Sequence, residues 1–217
     1  MSWKNTDIEN VWHPFSALGT NSKNLLVESA KGLTLRLEDG SEILDMVSSW
    51  WVNIHGHGNQ ELAEVLYHQA KTLEHVIFAG FTHRPALDLV DGLLDILPEN
   101  QKRVFFSDDG STSVEVAIKL AIQYWANQGL KKQKIISIEG AYHGDTFGSM
   151  SLAGSSAFFA PFEDLLFEVV QIPFPTSDNV DEVVSSFTTA CMDSSVGAFI
   201  YEPLVQGSAG MRVYDHQ

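Results

Sequence analysis

Three stretches carry residue types at spacings that could do chemistry. Asp109-Gly110-Ser111-Thr112 stands between the apolar run Val104-Phe105-Phe106 and a long helical pattern. The first turn of a helix offers unpaired N–H donors and the positive end of the dipole, so it attracts phosphate. Gly110 would let the backbone approach closely, and Ser111 and Thr112 would add hydroxyls. The same residues also suit a plain helix cap at Ser111 or Thr112. Asp109 would repel a phosphate unless its carboxylate points away. The pattern is neither a Walker loop nor G-x-G-x-x-G.

The second stretch, Gly140-Ala141-Tyr142-His143-Gly144-Asp145, follows a strand-like run at Lys134–Ile138. Ligands of open α/β sheets sit outside the carboxyl ends of strands. Tyr142 offers a flat ring there, His143 a titratable group and Asp145 a carboxylate. A glycine-bounded turn with Asp145 capping the next helix is the alternative. The third stretch runs from Ser48 to Gly58 and contains Trp50-Trp51. Neighbours on a strand face opposite ways, so one tryptophan could wall an apolar substrate pocket. Both could instead pack the junction between the N-terminal part and the rest.

Other candidates are weaker. His55 and His57 have a spacing compatible with metal ligation, but no third or fourth ligand accompanies them, so no metal site is expected. His68, His75 and His83 are scattered and read as structural or solvent-facing. No G-x-S-x-G elbow exists to support a Ser/His/Asp hydrolase. Cys191 ends a helix-like segment without a basic partner, so its thiol should be inert.

The elements that must position these residues follow from periodicity. Pro14 keeps His13 out of the helical region, so residues 1–23 read as an extended arm. Residues 25–29, 33–38 and 42–46 form strand-like runs, with Asp39-Gly40 as a turn, and predict a small antiparallel meander. Leu62, Val65, Leu66, Ala70 and Leu73 recur at helical spacing, as do Leu87, Val90, Leu93 and Leu94. Residues 104–106 predict a buried strand. Val114, Ala117, Ile118, Ala121, Ile122 and Trp125 then mark one face of a helix that Gly129 could stop. Strands at 134–138, 167–172 and 196–201, with a helix around Val180–Phe187 before the last, predict βαβ units on a mainly parallel sheet.

The 217 residues carry 13 Lys and Arg against 28 Asp and Glu, a net charge of −15. Such a surface repels phosphate backbones and argues against a nucleic-acid partner. With 44% apolar and 19% charged residues the composition is globular rather than disordered. A single cysteine excludes a disulfide scaffold and suits a reducing compartment. No apolar run reaches the ~18 residues of a membrane span, and Met1 to Asn10 has no signal-peptide pattern. These features predict a cytoplasmic protein.

Six segments in order resemble one family. They are His13-Pro14-Phe15, Asp45 to Trp51, Phe81-Thr82-His83-Arg84-Pro85-Ala86, Asp109-Gly110-Ser111-x-x-Val114-Glu115-x-Ala117-x-Lys119, Tyr142-His143-Gly144-Asp145-Thr146 and Glu202-Pro203-x-x-Gln206-Gly207. Together they resemble the class III, fold-type I aminotransferases, which use pyridoxal 5'-phosphate. Trp50-Trp51 and Trp12-His13-Pro14 narrow the resemblance to members of biotin biosynthesis. Those members move the amino group of S-adenosylmethionine to 8-amino-7-oxononanoate.

The resemblance implies roles residue by residue. Gly110 and Ser111 match the phosphate-binding turn, and Tyr142 matches the residue that stacks on the cofactor ring. Glu202 matches a carboxylate near the cofactor. Asp145 matches a carboxylate linked to the amino donor, a sulfonium cation that an anion would attract. Trp50 and Trp51 match the aromatic walls around the acceptor's aliphatic chain, and Phe15 and Tyr142 also match substrate-binding positions. Two positions depart from the pattern: Phe15 stands where tyrosine is usual, and Asp109 where serine is frequent.

The resemblance also implies an incomplete molecule. The family is roughly twice as long, and its Schiff-base lysine and pyridinium-binding acid follow the Glu-Pro motif. That lysine would lie beyond Gln217, so no catalytic residue is expected in this chain. Lys119 and Lys134 stand in the wrong motif context to replace it. The expectation is an α/β, fold-type I chain with an incomplete parallel sheet. Residues 1–58 would supply the arm and meander of a small α+β domain, and 59–217 the first part of the cofactor domain. The complete family forms homodimers, and this piece is expected to be inactive alone. Two alternatives stay open: another class III enzyme acting on ornithine, 4-aminobutyrate or a diamine, or a short non-catalytic interaction module.

Overall fold

The computed structural model describes residues 3–18, 24–153 and 159–215. The chain forms two compact units, Met1–Pro98 and Glu99–Gln217.

The first unit opens with α1 (Trp3–Asn10), which buries no side chain. The extended arm expected for residues 1–23 is therefore helical in part. Pro14 restricts only the residue before it, and nothing in 3–10 breaks a helix. Residues 1, 2 and 19–23 of that arm lie outside the described residues. The Asp7 carboxylate then holds His13 Nε2 and the Asn24 amide, each at 2.8 Å.

The meander forms as expected. Strands β1 (Val27–Lys31), β2 (Thr34–Leu37) and β3 (Glu42–Leu44) pair antiparallel in that order. At the second turn Gly40 takes φ +81°, while the Asp39 carboxylate accepts the Ser41 N–H at 2.9 Å and its hydroxyl at 2.6 Å. A short helical turn, α2 (Ser48–Trp51), comes next, followed by α3 (Gln60–Thr72) and α4 (Arg84–Ile96). Asn59 caps α3 by accepting the Leu62 N–H at 3.0 Å, and His83 caps α4 by accepting the Ala86 N–H at 3.3 Å.

The second unit holds α5 (Gly110–Ala126), β4 (Lys134–Ile138), α6 (Phe147–Ala153), β5 (Val169–Ile172), α7 (Val180–Met192) and β6 (Val196–Phe199). Strand β4 is central and pairs parallel with both β5 and β6. Side chains alternate across the sheet. Ile135 packs with Ile118 and Leu152 on the α5 and α6 face, while Ile136 and Ile138 pack with Ile172, Phe174, Val183 and Ala190 on the α7 face. The Trp125 indole seals α5 against β6 by donating to the Gly197 carbonyl at 2.8 Å. A hairpin of β7 (Val205–Gln206) and β8 (Arg212–Val213) follows. Beyond it, His216 and Gln217 lie outside the described residues.

The strand expected at residues 104–106 does not form. Phe105 is 68% exposed and Phe106 40%. A strand exists only through ladder bonds to a neighbour, and the described sheet has none at this segment. Apolar character alone secures neither burial nor pairing, because both need a partner surface that the local sequence does not specify. No described helix is long and apolar enough to cross a membrane.

Ile136 is almost fully buried at the sheet centre. Ile136→Ala should cost about 2–5 kcal/mol of stability. A denaturant midpoint unchanged from wild type would show that this sheet does not hold the second unit together.

Candidate cofactor and substrate site

In the second unit the candidate residues converge on the loops leaving β4 and β6 and on the first turn of α5. Asp109, not Ser111 or Thr112, caps α5: its carboxylate accepts the Thr112 N–H at 2.8 Å, and the Thr112 hydroxyl accepts the Asp109 N–H at 3.0 Å. This capping box occupies the Asp109 carboxylate, which removes the objection its charge raised to a phosphate. It also frees Ser111 for other partners. No atom outside the immediate chain comes within 4 Å of where a Gly110 Cβ would sit, so the helix mouth is open there.

The Ser111 hydroxyl accepts the Asp145 N–H at 3.2 Å, and the Ser111 carbonyl accepts the Ser149 hydroxyl at 3.1 Å. The loop after β4 is thus tied to the start of α5. Gly144 makes the junction possible. Its φ is +124°, and a side chain there would collide with Ser111. Glu115, one turn into α5, completes the tie. Its carboxylate accepts the Thr146 hydroxyl at 2.6 Å and the Gly148 N–H at 2.7 Å. Asp145 does not cap α6; its neighbour Thr146 supplies the backbone acceptor there, at 2.7 Å from Met150 N.

Glu202 works on the opposite side of the same loop. One carboxylate oxygen accepts the Tyr142 N–H at 3.0 Å and the other the Gly207 N–H at 2.9 Å. The backbone that carries the Tyr142 ring is therefore clamped, while the ring itself stays partly exposed. Partial burial raises the Tyr142 phenol pKa, and the nearby Asp145 carboxylate adds to the rise. Burial lowers the pKa of His143 against the opposing charge of Glu202, and its Nε2 has no hydrogen-bond partner. Its imidazole is accordingly neutral near pH 7.

Phe15, Trp50 and Trp51 belong to the first unit. Phe15 meets Trp50 edge to face at 5.7 Å between ring centroids. The tryptophans do not sit on a strand. Ser48, Ser49, Trp50 and Trp51 all have positive φ, at 49°, 48°, 60° and 67°. They form a left-handed turn in which the Trp51 N–H donates to the Val47 carbonyl at 2.9 Å. The alternation argument for opposite faces does not apply to it. Asp45 stands beneath this turn and accepts from the Ser49 hydroxyl at 2.7 Å and His57 Nε2 at 2.8 Å. Hydrogen bonds from Ser49 and His57 hold the Asp45 carboxyl well below the usual carboxylate range.

Among the described residues, no three His, Cys, Asp or Glu side chains gather as a metal ligand set. Lys134 is ion-paired with Glu168 at 2.7 Å and Asp193 at 3.5 Å, and the Glu168 hydrogen bond raises its pKa. A charged, paired ammonium is a poor nucleophile. Glu115, Gly144 and Asp45 were not singled out by sequence reasoning, and His57 was weighed there only as a metal ligand. All but His57 lie inside the quoted motifs, but only the fold shows which backbone groups they hold.

A parallel sheet whose strand-end loops gather an open helix mouth, a clamped aromatic residue and a carboxylate has the α/β architecture of the fold-type I aminotransferases. The chain matches the family described as aminotransferase class-III over residues 16–217, and it belongs to that family. The adenosylmethionine-8-amino-7-oxononanoate aminotransferase of Synechococcus elongatus is 49% identical over 94% of this chain and 50% of its own length. The enzyme of that name from Staphylococcus aureus is 38% identical over 97% and 50%. The crystal structure of the Methanocaldococcus jannaschii enzyme of that name superposes with TM-score 0.91 at 36% identity, covering 98% of this chain and 49% of that one. The chain spans about half the length of the curated relatives it matches.

The His143 shift gives a pH dependence. Its folded pKa lies below its unfolded value, so below about pH 6.5 the unfolded chain binds a proton that the folded chain does not. Stability of the second unit should be full above that pH and fall as pH drops through it. His143→Gln should abolish this component in denaturant midpoints measured from pH 8 to about 5. A wild-type midpoint flat over that range would contradict the assignment.

Proposed function

We propose that this chain contributes the cofactor-phosphate turn, the ring-stacking residue and the acceptor wall of an aminotransferase of biotin biosynthesis. In this reading the amino group of S-adenosylmethionine passes to 8-amino-7-oxononanoate to give 7,8-diaminononanoate. The supporting observation is the hydrogen-bonded union of the loops after β4 and β6 with the first turn of α5, through Ser111 with Asp145 and Glu202 with Tyr142, in a chain so similar to enzymes of that name.

The residues present fit pyridoxal 5'-phosphate. The open mouth of α5 at Gly110 and the hydroxyl of Ser111 would hold the phosphate, and the Tyr142 ring would cover one face of the pyridine. When bound, the cofactor supplies the electron sink for amino transfer. Glu202 would fix the height of the Tyr142 ring through the backbone, so its contribution to cofactor binding would be positional. Asp145 would attract the cationic donor, and neutral His143 beside it would add no opposing charge. Phe15, Trp50 and Trp51 would line the acceptor's aliphatic chain, with no hydroxyl contact from Phe15. Residues 1–58 would belong to the small domain and 59–217 to the cofactor domain of a cytoplasmic homodimer. The nucleophilic lysine would come from sequence outside these residues, so the 217-residue chain would bind cofactor without turning over.

The test has two arms. Titration of the chain with pyridoxal 5'-phosphate should show binding that weakens about tenfold or more in Ser111→Ala and Tyr142→Ala, and borohydride should leave no reduced cofactor adduct. In the complete reading frame, amino transfer to 8-amino-7-oxononanoate should require S-adenosylmethionine. Activity with ornithine, 4-aminobutyrate or a diamine instead would assign it to another branch of the family. No cofactor binding in either form would favour a non-catalytic interaction module.

A further inference from the structure

The left-handed turn at Ser48–Trp51 is the most strained backbone among the described residues. Four consecutive non-glycine residues have φ between 48° and 67°. L-residues adopt this conformation only where their surroundings impose it. Burial of the turn's own side chains does not impose it, because Trp50 is 66% exposed and Trp51 59%. The surroundings that do are polar. Asp45, only 8% exposed, accepts the Val47 N–H at 3.3 Å and the Ser49 hydroxyl at 2.7 Å, on either side of Ser48. Its backbone N–H donates to the Leu33 carbonyl at 2.8 Å, and its carboxylate takes His57 Nε2 at 2.8 Å. His57 is itself fixed, since its N–H and carbonyl both exchange hydrogen bonds with Gly32. Asp45 therefore ties the turn to the meander at two points.

We propose that Asp45 is a positioning residue for acceptor selectivity: through Ser49 and His57 it holds the left-handed turn that presents Trp50 and Trp51 to a long aliphatic keto acid. The inference rests on the reading of the two tryptophans as the acceptor wall. Strain held by a buried carboxylate keeps two large rings outward at an angle that a relaxed turn would not maintain. A change at Asp45 should then alter which chain lengths are accepted, although Asp45 itself touches no substrate.

The experiment uses the full chain and three readouts. Near-ultraviolet circular dichroism reports the tryptophans, with Trp50→Phe and Trp51→Phe assigning their share. Quenching of tryptophan fluorescence by 8-amino-7-oxononanoate and by shorter keto acids reports selectivity. Amide exchange in the meander reports folding. Asp45→Asn and His57→Ala should lose the Trp50 and Trp51 signal and the preference for the long acceptor, with the meander still protected. His57→Gln keeps a donor at the same reach and should retain both. An Asp45→Asn chain that keeps the tryptophan signal and the preference overturns the proposal. If the long acceptor quenches Trp50→Phe and Trp51→Phe as it does wild type, the wall reading fails and the selectivity role falls with it. In that case the dichroism of Asp45→Asn still reports the clamp separately.

Discussion

Strand β4 makes backbone hydrogen bonds on both edges, and both neighbours run parallel to it. Parallel pairing sends the chain out of every strand at the same end, so the loops after β4 and β6 must meet there. The arrangement of the second unit follows from this. Tyr142, His143 and Asp145 leave β4, and Glu202 leaves β6. Helix α5 packs against β6, and its first turn reaches the same edge through Ser111. Backbone N–H groups then do the fine positioning. Tyr142, Asp145 and Gly148 each donate to a side chain from a distant part of the chain, and Gly207 donates to Glu202 within its own loop.

The first unit solves a different problem with similar means. Its helices bury little among the described residues: Ala86 is the one buried position in α4, and α3 has none. Many large apolar side chains remain exposed, including Leu66, Val65 and Ile96. Apolar surface on this scale is characteristic of faces that pack against something further. The turn bearing Trp50 and Trp51 is therefore held by polar contacts rather than by a core. A buried carboxylate with three donors is a directional anchor, and it can impose a backbone geometry that non-directional apolar packing would relax.

Much of this was legible in the sequence because it depends on local pattern. Short strand-like runs and Asp39-Gly40 placed the meander, and period-3.6 runs placed α3, α4, α5 and α7. The loop after β4 was legible as a site because glycines and polar residues interrupt an apolar run there, whereas Glu202 after β6 was singled out only through the family resemblance. The failures share one cause, which is dependence on a non-local partner. Residues 104–106 have strand composition but join none of the described sheets. Strand alternation predicts opposite faces for Trp50 and Trp51, yet the Asp45 contacts to Ser49 and His57 accompany a left-handed turn instead. Helix α1 was missed because it buries no side chain, so no apolar period announced it.

The sequence by itself determined the α/β class, the family and the residue types offered at each loop, since these are written in short motifs and local periodicity. It left open which residue caps α5, and it could not say what Glu115 and Glu202 hold. Those were decided by tertiary structure, because a carboxylate's role depends on which N–H groups the fold brings within hydrogen-bond reach. Asp109 shows the distinction most clearly. In the sequence its charge counted against a phosphate site, and in the fold the same charge is spent on capping the helix that would bind the phosphate.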